Sequence, residues 1–486
     1  MSVSVPESAR VEPTRTGAVV AVLAFTGIVV SLMQTLIIPL IPQLPALLDA
    51  SSADTAWAIT ATLLAGAVAV PVMGRLGDMF GKRLLLLVSL GLMIAGSIIG
   101  ALSESLVPLI IGRALQGLAA GVIPLGISIM RDVLPRERLA GATATMGASL
   151  GVGGALGLPA AALIAEYADW HFLFWVSAAL GVVVTGLVVW AVPESTVRTG
   201  GSFDGVGAAT LSITLVALLL AISKGSSWGW TSTTTIVLFA VSAVSLAFWG
   251  WWELRSSQPL VDLRVSARRQ VLLTNVASVV FGFAMFAMTL VFPQVLQLPA
   301  ATGFGLGKSM LVTGLVMAPS GIVMMLVAPL SSRITTTKGP KVTLMIGAIV
   351  VAIGYLFGVV TMSAIWELVL ISCIIGAGIG LAYGAMPALI MGAVPASETA
   401  AANSLNTLMR SLGTSSASAV AGVILAQMTV TLGSTEVPSQ GGFRVTMGVA
   451  AAAAIIALVV AAFLPRFEKT RSAVVAQVES EVPVRH

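Results

Sequence analysis

Arg113 stands about seven residues inside an apolar run, in the stretch Arg113-Ala114-Leu115-Gln116-Gly117. A cation at that depth costs several kcal/mol unless it is paired or hydrated. Arg410, with Asn403 and Asn406 nearby, lies in a second such run. A third charged group, Gly74-Arg75-Leu76-Gly77-Asp78-Met79-Phe80-Gly81-Lys82-Arg83, separates two apolar runs. Its glycines allow a tight turn without a Cβ clash, and Asp78 can accept from guanidinium groups or from the N-terminus of a neighbouring helix. The chemistry open to these residues is therefore electrostatic. No nucleophile triad or metal-ligand cluster stands out: His171 and His486 are far apart, and the single Cys373 can form no internal disulfide. The stretch Gly303–Ser309 ends like a phosphate-binding loop, but Thr302 occupies the place of the required first glycine.

Long apolar helices must hold these charges. Of the 486 residues, 57% are hydrophobic and 9% charged, with a mean hydropathy of +1.02. A water-soluble domain carries roughly 25% charged residues, so this chain cannot clothe a water-facing surface. The net charge of +5 is scattered in short groups rather than gathered in a stripe, which argues against nucleic-acid binding. A spanning helix needs about 20 apolar residues. Fourteen such runs are present: 17–41, 55–73, 84–102, 106–129, 141–165 and 172–192, then 205–223 and 233–252, then 271–296, 310–330, 342–362, 368–391, 405–428 and 445–464. The first run is too long, and too closely preceded by Glu7, Arg10, Glu12 and Arg15, to be a cleavable signal. With both termini inside, the inner connections collect the basic residues, leaving Arg113, Lys224, Lys308, Arg410 and Arg444 as exceptions among 25.

The pattern of six, two and six runs contains a repeat. Sliding the halves so that Gly81 meets Gly339 brings Arg75 onto Arg333, Leu76 onto Ile334 and Arg83 onto Lys341. Parallel repeats of six helices are expected of one large class of secondary transporters. The sequence resembles the major facilitator superfamily, in its fourteen-helix drug/proton antiporter branch, from Gly17 to Leu464. The resemblance rests on Gly74–Arg83, on the embedded Arg113, Gln116 and Gly117, and on Gly147, Gly151, Gly153, Gly154, Gly157 and Pro159. Leu158 intervenes where the family usually sets Gly directly before Pro. Asp169-Trp170-His171-Phe172, Phe203-Asp204, Trp228-Gly229-Trp230 and Pro259–Leu263 fit the branch as well.

The resemblance implies an all-α integral membrane fold: a cytoplasmic tail (1–16), a six-helix bundle (17–192), a linker with two inserted helices (193–270), a second bundle (271–464) and a second cytoplasmic tail (465–486). It implies a cell-membrane transporter rather than an enzyme, monomeric by family default, exporting a small hydrophobic, cationic or neutral, drug-like or antibiotic substrate by proton antiport with alternating access. No cofactor beyond the proton-motive force, no metal and no nucleic acid enter. Gly74, Arg75, Gly77, Asp78, Gly81, Lys82 and Arg83 would form a conformational latch, Asp78 pairing with Arg75 and Arg83; a helix-capping loop is the plainer alternative. The glycines of the fifth run serve an antiporter contact or ordinary packing equally well. One departure is notable. Met33 stands where the branch carries an Asp in the first span, and no carboxylate falls deep in any run. Asp54 and Glu166 are the remaining proton-coupling candidates, with solvated loop carboxylates the equal alternative. Cavity candidates are Gln34, Thr35, Trp57, Met285, Met317, Tyr383, Asn406 and Arg410, Met being polarizable and adaptable. Two rival readings remain: a proton-independent facilitator or exporter of a specific metabolite, and a polytopic membrane enzyme.

Overall fold

Apolar helices with no continuous polar face can be stable only against one another or against lipid. The computed structural model describes residues 13–40, 44–195, 197–432 and 435–465, and among them 14 helices are long and apolar enough to cross a membrane. In chain order they are α1 (Thr16–Thr35), α2 (Trp57–Phe80), α3 (Lys82–Ala101), α4 (Leu106–Val133), α5 (Glu137–Ile164), α6 (His171–Ala191), α7 (Gly205–Gly225), α8 (Thr233–Arg255), α9 (Arg269–Gln297), α10 (Met310–Lys338), α11 (Pro340–Val360), α12 (Ile365–Met391), α13 (Ala396–Gln427) and α14 (Gln440–Ala462). A short antiparallel hairpin, Thr429–Leu432 with Thr435–Pro438, joins α13 to α14.

Helices α1–α6 close around Leu23, Leu86, Leu90, Leu125, Met130 and Met146. Helices α9–α14 close around Phe281, Phe292, Tyr355, Tyr383, Phe443 and Met447. The inserted pair does not join either core. Instead α7 packs on α2 and α13, and Leu211, Leu215 and Leu219 share a cluster with Val70 and Leu408, so the pair lies along the seam between the bundles. On its outer side α8 exposes Val237, Phe239, Val244 and Trp251, the apolar face a lipid-contacting helix needs.

Four details differ from the sequence expectation. The first span is expected to reach Ile41, but α1 stops at Thr35 ahead of a single 3-10 turn, Ile38–Leu40, whose Pro39 has no N–H for a helical bond. The Gly74–Arg83 stretch is not a loop: α2 runs to Phe80, α3 starts at Lys82, and Gly81 alone turns the chain at φ 125°. Gly339, at φ 91°, makes the equivalent one-residue turn between α10 and α11, so the repeat is geometric as well as sequential. The thirteenth span is expected to begin at Leu405, yet its α-helix begins at Thr399. Finally, α8 runs on to Arg255 and encloses Glu253 at 3% exposure, a buried acid where none is expected. The tails 1–12 and 466–486 lie outside the described residues.

Candidate functional site

At the Gly81 end the two bundles are tied by polar bonds. The early start of α13 aims its first amides at α2, and the fully buried Asp78 carboxylate accepts from Ala401 N–H at 2.9 Å and Ala400 N–H at 3.3 Å. A negative group at a helix N-terminus is held by both the free amides and the helix dipole. Gly74 permits the approach, since a Cβ there would meet Ser404 Cβ at 2.7 Å and the Ala400 carbonyl at 2.9 Å. Lys82 Nζ lies 3.6 Å from Asp78 and donates to Asp132 at 2.6 Å, and Ser195 donates to the same Asp132 oxygen. Arg75 and Arg83 do not reach Asp78: Arg83 donates to the Val189 carbonyl at 2.7 Å, and Arg75 Nε is enclosed without a partner. A second tie comes from α4, where Arg131 donates to the carbonyls of Val394 (3.0 Å) and Pro395 (3.2 Å) and to Thr399 Oγ1 (2.5 Å). Gly77 meets Leu125 of α4, and Gly81 meets Glu194 of the linker.

Arg113 is buried in α4, 2% exposed, and satisfied without a carboxylate. It donates to Gln116 Oε1 at 2.7 Å and to the carbonyls of Met33 at 3.3 Å and Ala58 at 3.4 Å, while Gln116 donates to Ser97 at 2.8 Å. Gly117 lets α4 touch the Thr62 backbone of α2. A cavity of about 10 Å³, lined by Met33, Leu36, Ile37, Arg113, Gln116, Leu173, Phe174 and Ser177, adjoins the guanidinium. That is room for about one water.

The glycines of α5 serve both bundles. Gly153 presses on the Ile28 carbonyl and Gly157 on Thr35, both of α1, whereas Gly147 meets the Tyr383 backbone of α12 and Gly151 meets Met324 of α10. Pro159 fits against Gly314 of α10, and Gly154 has nothing closer than Ser31 Oγ at 3.9 Å.

Of the cavity candidates, four gather in the second bundle. Arg410 lies over the Tyr383 ring at 4.8 Å, the Tyr383 hydroxyl points to Met285 Sδ at 3.3 Å, and one turn away Asn406 donates to Asn275 (3.0 Å) and Ser278 (2.7 Å). Gln34, Thr35 and Trp57 lie apart, while Met317 shares the buried cluster of Tyr383. Gln34 is exposed, and Thr35 donates to Leu32 of its own helix. Trp57 sits under Lys224 of α7 at 4.9 Å, with Asp54 in electrostatic reach. Asp54 itself is exposed and bonded to Ser51 Oγ at 2.7 Å; the Glu166 side chain lies outside the described residues. At the start of α6, bonds from the His171 backbone and ring hold the Asp169 carboxyl below the usual carboxylate range. The sequence reading missed Asp132, Arg131 and Lys224 as site residues. The adjacent Arg131-Asp132 pair closing an apolar run, and Lys224 as an exception to the charge bias, were the available signals.

Comparison with known proteins agrees with this architecture. The chain is 28% identical over 421 residues to an uncharacterised MFS-type transporter of Mycobacterium tuberculosis, a match covering 85% of this chain and 60% of that protein. It is 28% identical over 373 residues to the multidrug resistance protein Stp of the same species, covering 76% and 68%. In fold it resembles the human organic anion transporter MFSD10, with a TM-score of 0.66 at 14% identity over 93% of this chain and 100% of that one. The profile of the Major Facilitator Superfamily matches residues 23–418, and with 14 spanning helices in two bundles about an inserted pair the chain belongs to that family, as a transporter and not an enzyme.

Proposed function

We propose that this protein is a secondary exporter of hydrophobic, drug-like or antibiotic molecules, acting as a monomer by alternating access in the cytoplasmic membrane. Both termini are cytoplasmic and protons enter in exchange, with no cofactor beyond the proton-motive force. The observation that carries this reading is the Asp78 contact with the first amides of α13, a bundle-to-bundle closure made of a few polar bonds that can be released as a unit. The orientation draws on the basic residues gathered at that end, among them Arg75, Arg83, Arg131, Arg138, Lys338 and Lys341, which the positive-inside rule assigns to the cytoplasm. The direction of transport draws on relatives named for multidrug resistance.

A second reading, proton-independent transport on the same fold, is favoured by Met33. It faces Arg113 where the branch has a carboxylate, and the exposed Asp54 is not placed to carry a proton through the bilayer. Expression in a strain stripped of its own efflux pumps tests the proposal. Cells making the protein should accumulate less lipophilic dye, and collapsing the pH gradient with nigericin should restore accumulation. Equal accumulation with and without the protein across a broad compound panel overturns efflux; exclusion that survives nigericin selects the second reading.

A further inference from the structure

The charges embedded in the spans are unequal in sign. Arg113 and Arg410 stand inside α4 and α13, and Lys224 is the penultimate residue of α7. Among the described carboxylates, Asp78 and Asp132 are engaged at the Gly81 end, Glu253 lies in the inserted pair, and Glu367 caps the start of α12 through Ser363 and Ala364. None stands at the middle of either bundle.

The three cations also differ in what satisfies them. Arg113 has three protein acceptors, and Lys224 has the Trp57 face with Asp54 nearby. Arg410 has the Tyr383 ring and, among the described residues, no hydrogen bond or ion pair, and it is half-buried. It stands 11 residues after Thr399 on α13, about 16 Å along the axis and hence near the middle of a roughly 30 Å hydrocarbon layer. A guanidinium offers five donors in a rigid fork that fits a planar oxyanion. Left without an acceptor at that depth, it is costly, and retained charges of this kind mark substrate pathways. Tyr383 and Met285 supply an apolar, adaptable wall beside it.

We propose that Arg410 is the residue that recognises the substrate's head group, and that the preferred substrates are lipophilic monoanions: a carboxylate, sulfonate or phenolate on an apolar body. The inference rests on the efflux reading above and narrows its substrate class. A cationic substrate would meet Arg410 and no counter-charge at the midplane. A monoanion forms charge-assisted bonds with the open fork while its body packs on Tyr383 and Met285. Outward movement of one negative charge is also driven by an inside-negative potential, worth roughly a fortyfold gradient at an ordinary membrane potential.

Equilibrium binding of three radiolabelled probes of similar size to the full chain in lipid nanodiscs tests this, with empty nanodiscs as background. The probes are anilinonaphthalene sulfonate, uncharged phenylnaphthylamine, and a trimethylammonium derivative of the same ring system. The anion should bind at least tenfold tighter than the cation. Arg410→Gln should weaken the anion about tenfold to a hundredfold while leaving the neutral probe within about twofold, and Arg410→Lys should retain part of the anion affinity. Should Arg410→Gln fail to fold, the charge preference of the wild type and the Arg410→Lys response decide alone. A cation bound as tightly as the anion, or an anion affinity indifferent to Arg410→Gln, overturns the proposal. Anion binding that depends on Arg410, with no probe moved across vesicles, instead overturns the efflux reading and leaves the site standing.

Discussion

Replacing Asp78 by Asn should release the closure at the Gly81 end. Asn keeps the shape and one carbonyl acceptor, so the 2.9 Å bond from Ala401 can persist, but the charge facing the α13 amides and Lys82 is lost. A carboxylate at a buried helix N-terminus is worth up to about 2 kcal/mol. A hydrogen bond to a charged acceptor contributes about 1.5–3 kcal/mol against about 1 for a neutral one. Allowing for overlap between these terms, the loss is about 2–3 kcal/mol, or roughly a 30- to 150-fold shift in the closed-to-open ratio. Lys82 is not orphaned, because its 2.6 Å bond to Asp132 remains, so the effect should fall on the closure rather than on folding. The assay is pulsed electron resonance between spin labels at Glu137 and Thr336, in a Cys373→Ser background in nanodiscs. Both sites are exposed and flank the place where a Cβ on Gly141 would come 3.4 Å from Ser332 Oγ. A short-distance component should dominate in the wild type and shrink in the Asn variant. An unchanged or enlarged short component would refute the reasoning.

Three further outcomes follow from the same geometry. Met33→Asp sets a carboxylate beside Arg113, whose guanidinium already bonds the Met33 carbonyl at 3.3 Å; substrate-triggered proton release, read with a pH dye, should rise severalfold over wild type. Both carboxylate oxygens of Glu253 are enclosed without a good hydrogen bond beside Asp204, although the Leu260 and Val261 amides are close. Glu253→Gln should therefore raise thermal stability at neutral pH by about 1–3 kcal/mol, and a lowered Tm would mean that the charge is required. Gly153→Ala drives a Cβ into the Ile28 backbone, whereas Gly154→Ala meets nothing closer than 3.9 Å. The first should cost about 1–3 kcal/mol and the second almost nothing, measured as loss of monodisperse protein on heating.

The helices were legible because a bilayer demands about 20 apolar residues per crossing and allows few other patterns. The pairing of Gly81 with Gly339 was legible from the repeat, but the one-residue turns were not: Gly74–Arg83 reads as a loop, whereas Gly81 alone, at φ 125°, reverses the chain. Asp78 was visible as an isolated acid, but its partners were not. Ala400 and Ala401 are more than 300 residues away. The start of α13 also carries Asn403 and Ser404, which read as loop yet are buried against the other bundle. Inward faces were the least readable feature. Helices apolar on every side carry no period that separates lipid from core, so Met285, Met317 and Tyr383 share one core near Arg410 and Asn406 while Gln34 turned outward. Glu253 was missed because α8 continues past Trp252, where the apolar run ends.

Export by alternating access is tested most directly with purified protein in vesicles, recording a lipophilic probe and internal pH together while a pH gradient and a potential are imposed separately. The expected result is saturable probe movement toward the side opposite the Gly81 end, with proton counter-movement and with strong slowing by Asp78→Asn. Probe movement no faster than in protein-free vesicles under either driving force would contradict it.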